Sequence, residues 1–420
     1  MSNPTPIDDL ATLSDADRDQ LFLALPKTDL HCHLDGSLRP ETVSELAQRP
    51  EIRELAQRLG YSLPEDTSVE TLRKVLCPGL ECGSLEEYLL PFDIICGVLQ
   101  TKETLERAAY ELAMDAAAEN VWYLEVRFAP QRHIHKDLSG IDVIRAVSDG
   151  LARAEEETGG RVLTGILICA MRNYHESISN LHRAVREAFP YATQRELGSS
   201  LSLAAARLAV EAKRQGLHRV VGFDLAGAEA DFPPSHHREA FSFCIDNFLN
   251  ITVHAGEGYG PASIQEAVTY LNAQRIGHGT RILEEGDGLL EYLRDRRVTV
   301  EVCLTSNLQT KAIQSLDDHP FRRFLEEEVR APLCTDNRMV SDVKVTDEYR
   351  LAYQHFKLSP KEIRKTVLYG FKAAFVPYSR RRQLLLAAKA RLRELGLGGQ
   401  WSRSEEEAFA GWQGGDFARP

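Results

Sequence analysis

The sequence predicts an α/β fold, a (β/α)8 TIM barrel, and two observations carry that prediction. Short apolar runs alternate with amphipathic stretches along most of the 420 residues, and polar, reactive side chains recur at the C-terminal ends of those runs. A barrel gathers its chemistry on that face, where the loops after the strands converge, so residues far apart in sequence become neighbours.

The strand-like runs are 27–33, 121–129, 162–170, 220–226, 251–255, 275–277, 298–303 and 331–335. Between them, 104–119, 141–157, 203–215, 263–272 and 289–296 carry apolar residues near helical spacing. Two long segments, 39–100 and 172–200, are read as inserted helices after strands 1 and 3. A single domain is expected over 1–420. From about 376 it continues as a helical extension that Arg380, Arg381 and Arg382 open, followed by a Gly-, Ser- and Glu-rich tail expected to be partly disordered.

Composition limits the partners. Lys and Arg total 50 against 62 Asp and Glu, a formal charge of −12, which disfavours nucleic acid and anionic membrane and suits a small neutral or cationic ligand. The eight cysteines are scattered with no Cys-x-x-Cys pair, so buried reduced thiols are expected rather than a disulfide framework. The polar, acidic first 20 residues do not read as a signal peptide, and the most apolar stretch, 162–171, is far shorter than a membrane span of roughly 20 residues. A cytoplasmic location is the default expectation.

Five residues at strand ends read as one metal centre. They are His31 and His33 in a His-x-His unit, His254 in His-Ala-Gly-Glu, His278 in Gly-His-Gly, and Asp336 after Cys334-Thr335. Side chains alternate along a strand, so His31 and His33 project to the same side and can grip one ion together. Neutral imidazoles with a carboxylate suit a borderline cation such as zinc. For any lone histidine a structural role outweighs a ligand role. Accordingly His133 with His135, next to Pro130 and Lys136, and His236 with His237, after Pro233 and Pro234, are expected on surface loops.

The segments 26–37 (Pro-Lys-Thr-Asp-Leu-His-Cys-His-Leu-Asp-Gly-Ser), 224–227 (Asp-Leu-Ala-Gly), 254–257 (His-Ala-Gly-Glu), 275–279 (Arg-Ile-Gly-His-Gly) and Thr335-Asp336 together resemble the adenosine deaminase family, in the right order over roughly 20–375. The resemblance implies a zinc-dependent hydrolase that converts adenosine and 2′-deoxyadenosine to inosine and 2′-deoxyinosine with release of ammonia. It implies one Zn2+ held by His31, His33, His254 and Asp336, with Glu257 as proton shuttle and His278 orienting the attacking water. Elementary chemistry agrees: an aromatic amine leaves poorly, so the ring must be protonated as a strong nucleophile attacks, and Glu257 lies three residues beyond His254 on the same loop.

The substrate contacts implied are a purine nucleoside over Asp35, Gly227 and Asn337. Asp35 either accepts from a ribose 5′-hydroxyl or caps the following helix. Gly227 either offers its N–H to purine N3 or is a plain turn residue. Asn337 stands where the best-known family pattern has a second aspartate; an amide is a donor toward N7 at every pH, whereas a carboxyl must be protonated to donate. Leu85, Tyr88 and Phe92 share a helical face that forms either a lid over the site or a core stripe.

Other polar residues near the strand ends complete the reading. Glu125 and Arg127 are expected to pair inside the barrel, Arg172 to do likewise, and Ser306 and Asn307 to shape the seventh loop near the ligands. Two alternatives stay open: deamination of another 6-aminopurine, including adenine or an N6-substituted adenosine, and a catalytically silent nucleoside-binding protein. The combined His-x-Glu and Pro-Cys-x-x-Cys signature of cytidine-type deaminases is absent, since the sequence holds no Pro-Cys-x-x-Cys.

Overall fold

The computed structural model describes residues 6–79 and 91–398. Seven strands, β1 Lys27–His33, β2 Val121–Phe128, β3 Leu163–Met171, β4 Val220–Ala226, β5 Asn250–Ala255, β6 Arg275–His278 and β7 Thr299–Glu301, form one sheet in sequence order. Each pairs in parallel with the next. Parallel neighbours need crossovers, and helices supply each of them, which wraps the sheet into a nearly closed barrel.

The eighth expected strand does not form as a ladder. Residues 330–336 close the ring through isolated bridges, Thr299↔Arg330 and Val302↔Leu333 toward β7 and Cys32↔Asp336 toward β1. Pro332 has no N–H to give a ladder, and Asp336 has φ +64°, which breaks the extended path. The closure still holds firmly, because Asp336 N–H donates to the His31 carbonyl and His33 N–H to the Asp336 carbonyl, both at 2.7 Å.

The helix bounds follow local capping chemistry. Ser139 caps Gly140–Glu157, and Thr101 with Thr104 forms a capping box on Lys102–Ala118. The helix expected at 203–215 starts nine residues earlier, as Gln194–Arg214, since Thr193 and Glu196 build a capping box there. Its first turns, Gln-Arg-Glu-Leu-Gly-Ser-Ser, carry too few apolar residues for periodicity to reveal them. Helices Pro40–Gln48, Pro50–Arg58, Val69–Leu76 and Pro91–Val98 lie between β1 and the Lys102–Ala118 crossover, and Asn180–Ala188 follows β3. After the barrel, Tyr378–Glu394 forms the C-terminal helix; the Gly- and Ser-rich tail from 399 lies outside the described residues, as do Leu85 and Tyr88.

The barrel interior is charged at its centre, and the pairing differs from expectation. Glu125 and Arg127 do not meet each other. Glu125 instead accepts from Arg275 at 2.5 Å and from the Phe375 N–H at 2.7 Å, while Arg127 donates to Asp224 at 3.0 Å and Glu301 at 2.8 Å. Successive inward residues on one strand lie too far along the barrel axis to pair, so each turns to a different strand. Among the described residues Arg172 pairs with no carboxylate; it donates to the carbonyls of His254 and Phe232. The seven described cysteines are free thiols, and no helix of the described residues is long and apolar enough to cross a membrane.

Candidate active site and metal centre

The C-terminal ends of the strands deliver His31 and His33 from β1, His254 from β5 and His278 from β6. Pairing of β5 with β6 sets Ala255 opposite His278 and His254 opposite Gly277, so the two histidines arrive side by side. Asp336 comes from the bridged segment that closes the barrel onto β1. One potential ligand atom from each of His31, His254, His278 and Asp336 lies within 4.8 Å of all the others. His33 adjoins the same group, its Nε2 3.1 Å from His254 Nε2 and 3.4 Å from Asp336 Oδ1.

Two of these positions are held in an unfavourable backbone. His278 has φ +66° and Asp336 has φ +64°. Non-glycine residues in the left-handed region cost of order 1–3 kcal/mol and persist where the surroundings over-determine them, as at functional sites. The neighbouring glycine is equally constrained: a Cβ on Gly277 would stand 2.8 Å from Cε1 of His31. Only glycine lets the β6 backbone pass the imidazole so closely.

The outward faces of the rings are fixed by carboxylates and an amide. His31 Nδ1 lies 2.8 Å from Glu301 Oε2, His254 Nδ1 lies 3.1 Å from Asp224 Oδ2, and His278 Nδ1 accepts from Asn307 Nδ2 at 2.9 Å. Ser306 donates to Asp336 Oδ2 at 2.6 Å. With Nδ1 protonated on His31 and His254, Nε2 turns a lone pair toward the centre. His278 takes the opposite tautomer, because the Asn307 amide claims its Nδ1 lone pair.

The donor set fits a cation on observations of the chain itself. His31 Nε2 is buried 3.4 Å from Asp336 Oδ1, and the ring nitrogens of His33 and His254 face each other at 3.1 Å. Burial drives His33, His254 and His278 toward the neutral form that a metal requires. Burial and Arg127 push His31 the same way, but hydrogen bonds to Asp336 and Glu301 outweigh them and raise its pKa. A positive charge is therefore favoured at this point, and a dication between the rings would replace that proton.

Glu257 completes the cluster, 3.5 Å from His278 Nε2. Burial first, then the charges of Asp336 and Glu229, push its carboxyl up to about 8. A nearby dication would pull this value back down. The cleft beside the cluster is walled by Glu257, Asp35, Gly227 and Asn337 together with Phe92, Met171 and Arg132. Asp35 is 5% exposed, and Gly227 has φ +98°, as the turn after β4 demands.

Several expectations need revision, and several residues had no sequence signal. His133 is buried with Nδ1 2.9 Å from the Leu99 carbonyl, and His135 bonds the Gln100 carbonyl at 3.0 Å; both serve backbone acceptors left by the turn before Lys102–Ala118. His237 is buried against Ser202 at 2.8 Å. Glu301 belongs to no motif, and its one signal is that a glutamate inside the apolar run 298–303 marks an inward-facing charge. Asp224 opens the Asp-Leu-Ala-Gly segment, and nothing local in the sequence marks it as the partner of His254.

The comparisons with known proteins align with this geometry. Residues 26–389 match the family model described as adenosine deaminase. A protein of Mycobacterium leprae (strain TN) named adenosine deaminase is 37% identical over 369 residues, covering 85% of this chain and 92% of that protein. Its counterpart in Mycobacterium tuberculosis (strain ATCC 25618 / H37Rv) is 37% identical over 372 residues, covering 86% and 93%. Among solved structures, the N6-methyl-AMP deaminase of Arabidopsis thaliana superimposes with a TM-score of 0.70 at 28% identity, covering 89% of this chain and 98% of that one.

Proposed function

Because the chain belongs to the adenosine deaminase family, we propose that it hydrolyses adenosine and 2′-deoxyadenosine at C6, releasing ammonia and leaving inosine or 2′-deoxyinosine. The carrying observation is the convergence of His31, His33, His254, His278 and Asp336 beside Glu257 at the floor of one cleft.

In this reading His31, His33, His254 and Asp336 hold one zinc ion, the cation that a set of three imidazoles and one carboxylate suits. Bound there, it supplies Lewis-acid activation of water, lowering its pKa toward ~7. Glu257, protonated, gives its proton to purine N1 as water oxygen adds to C6, so that charge does not build on the ring. His278, its Nε2–H facing the centre, orients the attacking water; of the two water protons one restores the Glu257 carboxyl, and the other passes to the 6-amino nitrogen as the C–N bond breaks, leaving C6=O, N1–H and ammonia. Asn337 donates its amide N–H to N7, the Gly227 N–H donates to N3, and Asp35 accepts from the ribose 5′-hydroxyl. Phe92, on the cleft wall, excludes bulk water from the reacting atoms.

A 5′-nucleotide is the second reading, and Arg132 is the residue on its side. Arg132 lines the cleft in which Asp35 stands, and the Arabidopsis neighbour is by name a deaminase of N6-methyl-AMP. A guanidinium there suits a 5′-phosphate, while Asp35 opposes one.

The deciding experiment is ammonia release from adenosine, deoxyadenosine, adenine, AMP and N6-methyl-AMP, run with elemental metal analysis. Turnover of the two nucleosides by zinc-loaded protein is expected, and inert adenosine beside an active nucleotide would reject the substrate assignment. Glu257→Gln should keep its metal and lose nearly all turnover; full activity would remove Glu257 from its role.

A further inference from the structure

The loop that leaves β5 is held from outside itself. Glu229, on the loop after β4 and only 5% exposed, accepts four successive backbone N–H groups on its carboxylate. They come from Gly256 at 2.7 Å, Glu257 at 2.9 Å, Gly258 at 2.7 Å and Tyr259 at 3.1 Å. Consecutive N–H groups around a left-handed residue form a concave anion site, and Gly256, at φ +80°, provides that residue. The occupant here is the chain's own carboxylate.

The carbonyl side of the same loop is held as well. Arg172 donates to the His254 carbonyl, Thr280 to that of Gly256, and Arg281 Nε to that of Glu257 at 3.2 Å. Every peptide from the metal-cluster histidine to the acid is thus tied to β3, β4 or β6 loops. Glu229 itself does not wall the cleft, and no step of the reaction uses it.

We propose that Glu229 is a positioning residue whose carboxylate fixes the backbone of 256–259 and so aims the Glu257 carboxyl at the purine ring. The proposal rests on the reading of Glu257 as the proton donor. Glutamine at 229 keeps the volume but turns an NH2 toward backbone donors, so the nest loses acceptors and the loop is freed to shift. Misplacement by about 1 Å costs on the order of 10²-fold in rate when the reacting group is a proton donor in a fixed geometry.

Steady-state kinetics, metal content and Tm of Glu229→Gln, Glu229→Asp, Glu257→Gln and the double variant Glu229→Gln/Glu257→Gln test this. Glu229→Gln should lower kcat by about 10²-fold with KM within about threefold of wild type and full metal occupancy. Glu229→Asp, which restores the charge, should recover at least about tenfold of that loss. On the Glu257→Gln background, Glu229→Gln should remove nothing further, since both act through one group. An unchanged kcat, a loss shared equally by KM and metal content, or an additive loss in the double variant would each overturn the proposal. If Glu229→Gln does not fold, the kcat-against-KM split of Glu229→Asp decides in the same way. Full turnover by Glu257→Gln alone would instead dispose of the underlying reading of Glu257, whatever Glu229 does.

Discussion

His31 Nδ1 and Glu301 Oε2 sit 2.8 Å apart although 270 residues separate them, and both side chains are fully buried. Glu301 also receives Arg127 at 2.8 Å, Arg275 at 2.6 Å and the Thr252 hydroxyl at 2.9 Å. Those partners hold its carboxyl far below the ordinary range against the penalty of burial. An anion that cannot be protonated is a fixed acceptor for His31, and it sets which imidazole nitrogen faces the centre. Replacing Glu301 by Gln should therefore weaken metal binding by roughly 10–100-fold, measured by competition with a chromophoric chelator. Unaltered affinity would mean that His31 is not a ligand.

Gly277 passes His31 so closely that a methyl group has no room, with His31 Cε1 2.8 Å and the His254 Cα 3.3 Å from the position a Cβ would take. Neither can yield without moving the cluster, because one is a buried ring and the other is backbone. Gly277→Ala is expected to fold with reduced metal content and at least about tenfold lower kcat, a displacement effect like that of other misaligned sites. Elemental analysis and steady-state kinetics check it, and normal occupancy with normal turnover would contradict the close approach.

Glu348 accepts the N–H groups of Leu304 at 2.7 Å and Thr305 at 3.0 Å, at the start of the helix Leu304–Gln309 that carries Ser306 and Asn307 to the site. Burial pushes its carboxyl up to about 7. A raised folded-state pKa means that its stabilising contribution is complete below the unfolded value, near 4.5, and is lost as pH rises through 7. Wild type should thus lose up to about 3 kcal/mol relative to Glu348→Gln between those limits and nothing more above them. Urea denaturation of both proteins across this range reads the difference, and parallel pH profiles would refute it.

Asn337 borders the cleft beside Asp336 and carries an amide donor that does not titrate. Asn337→Asp should bind adenosine well only while the new carboxyl is protonated, so its KM should climb as pH rises, up to about tenfold per pH unit above that pKa. Wild type should show no such limb. A KM profile identical in the two proteins would place N7 away from this residue.

Local patterns along the chain suffice to specify the barrel and the residues at its mouth. Period-two apolar runs and intervening helices are local signals, and a histidine or aspartate at the end of such a run is visible without knowing what lies beside it. That is why β1 to β7 and the pocket-facing residues Asp35, Gly227 and Asn337 were legible, and why the Gln194–Arg214 start was not: its first turns are polar.

Which charges meet depends on how the barrel closes. Glu125 pairs with Arg275 rather than Arg127, His133 turns inward to a backbone carbonyl, Glu301 anchors His31, and Glu229 collects the amides of the β5 loop. The closing segment, expected as a strand, became a bent path through Pro332 and the left-handed Asp336. Neighbouring residues along a chain report local backbone preference, whereas a buried charge is partnered by whatever ring closure brings within about 3 Å, and that is fixed by the register of the whole barrel.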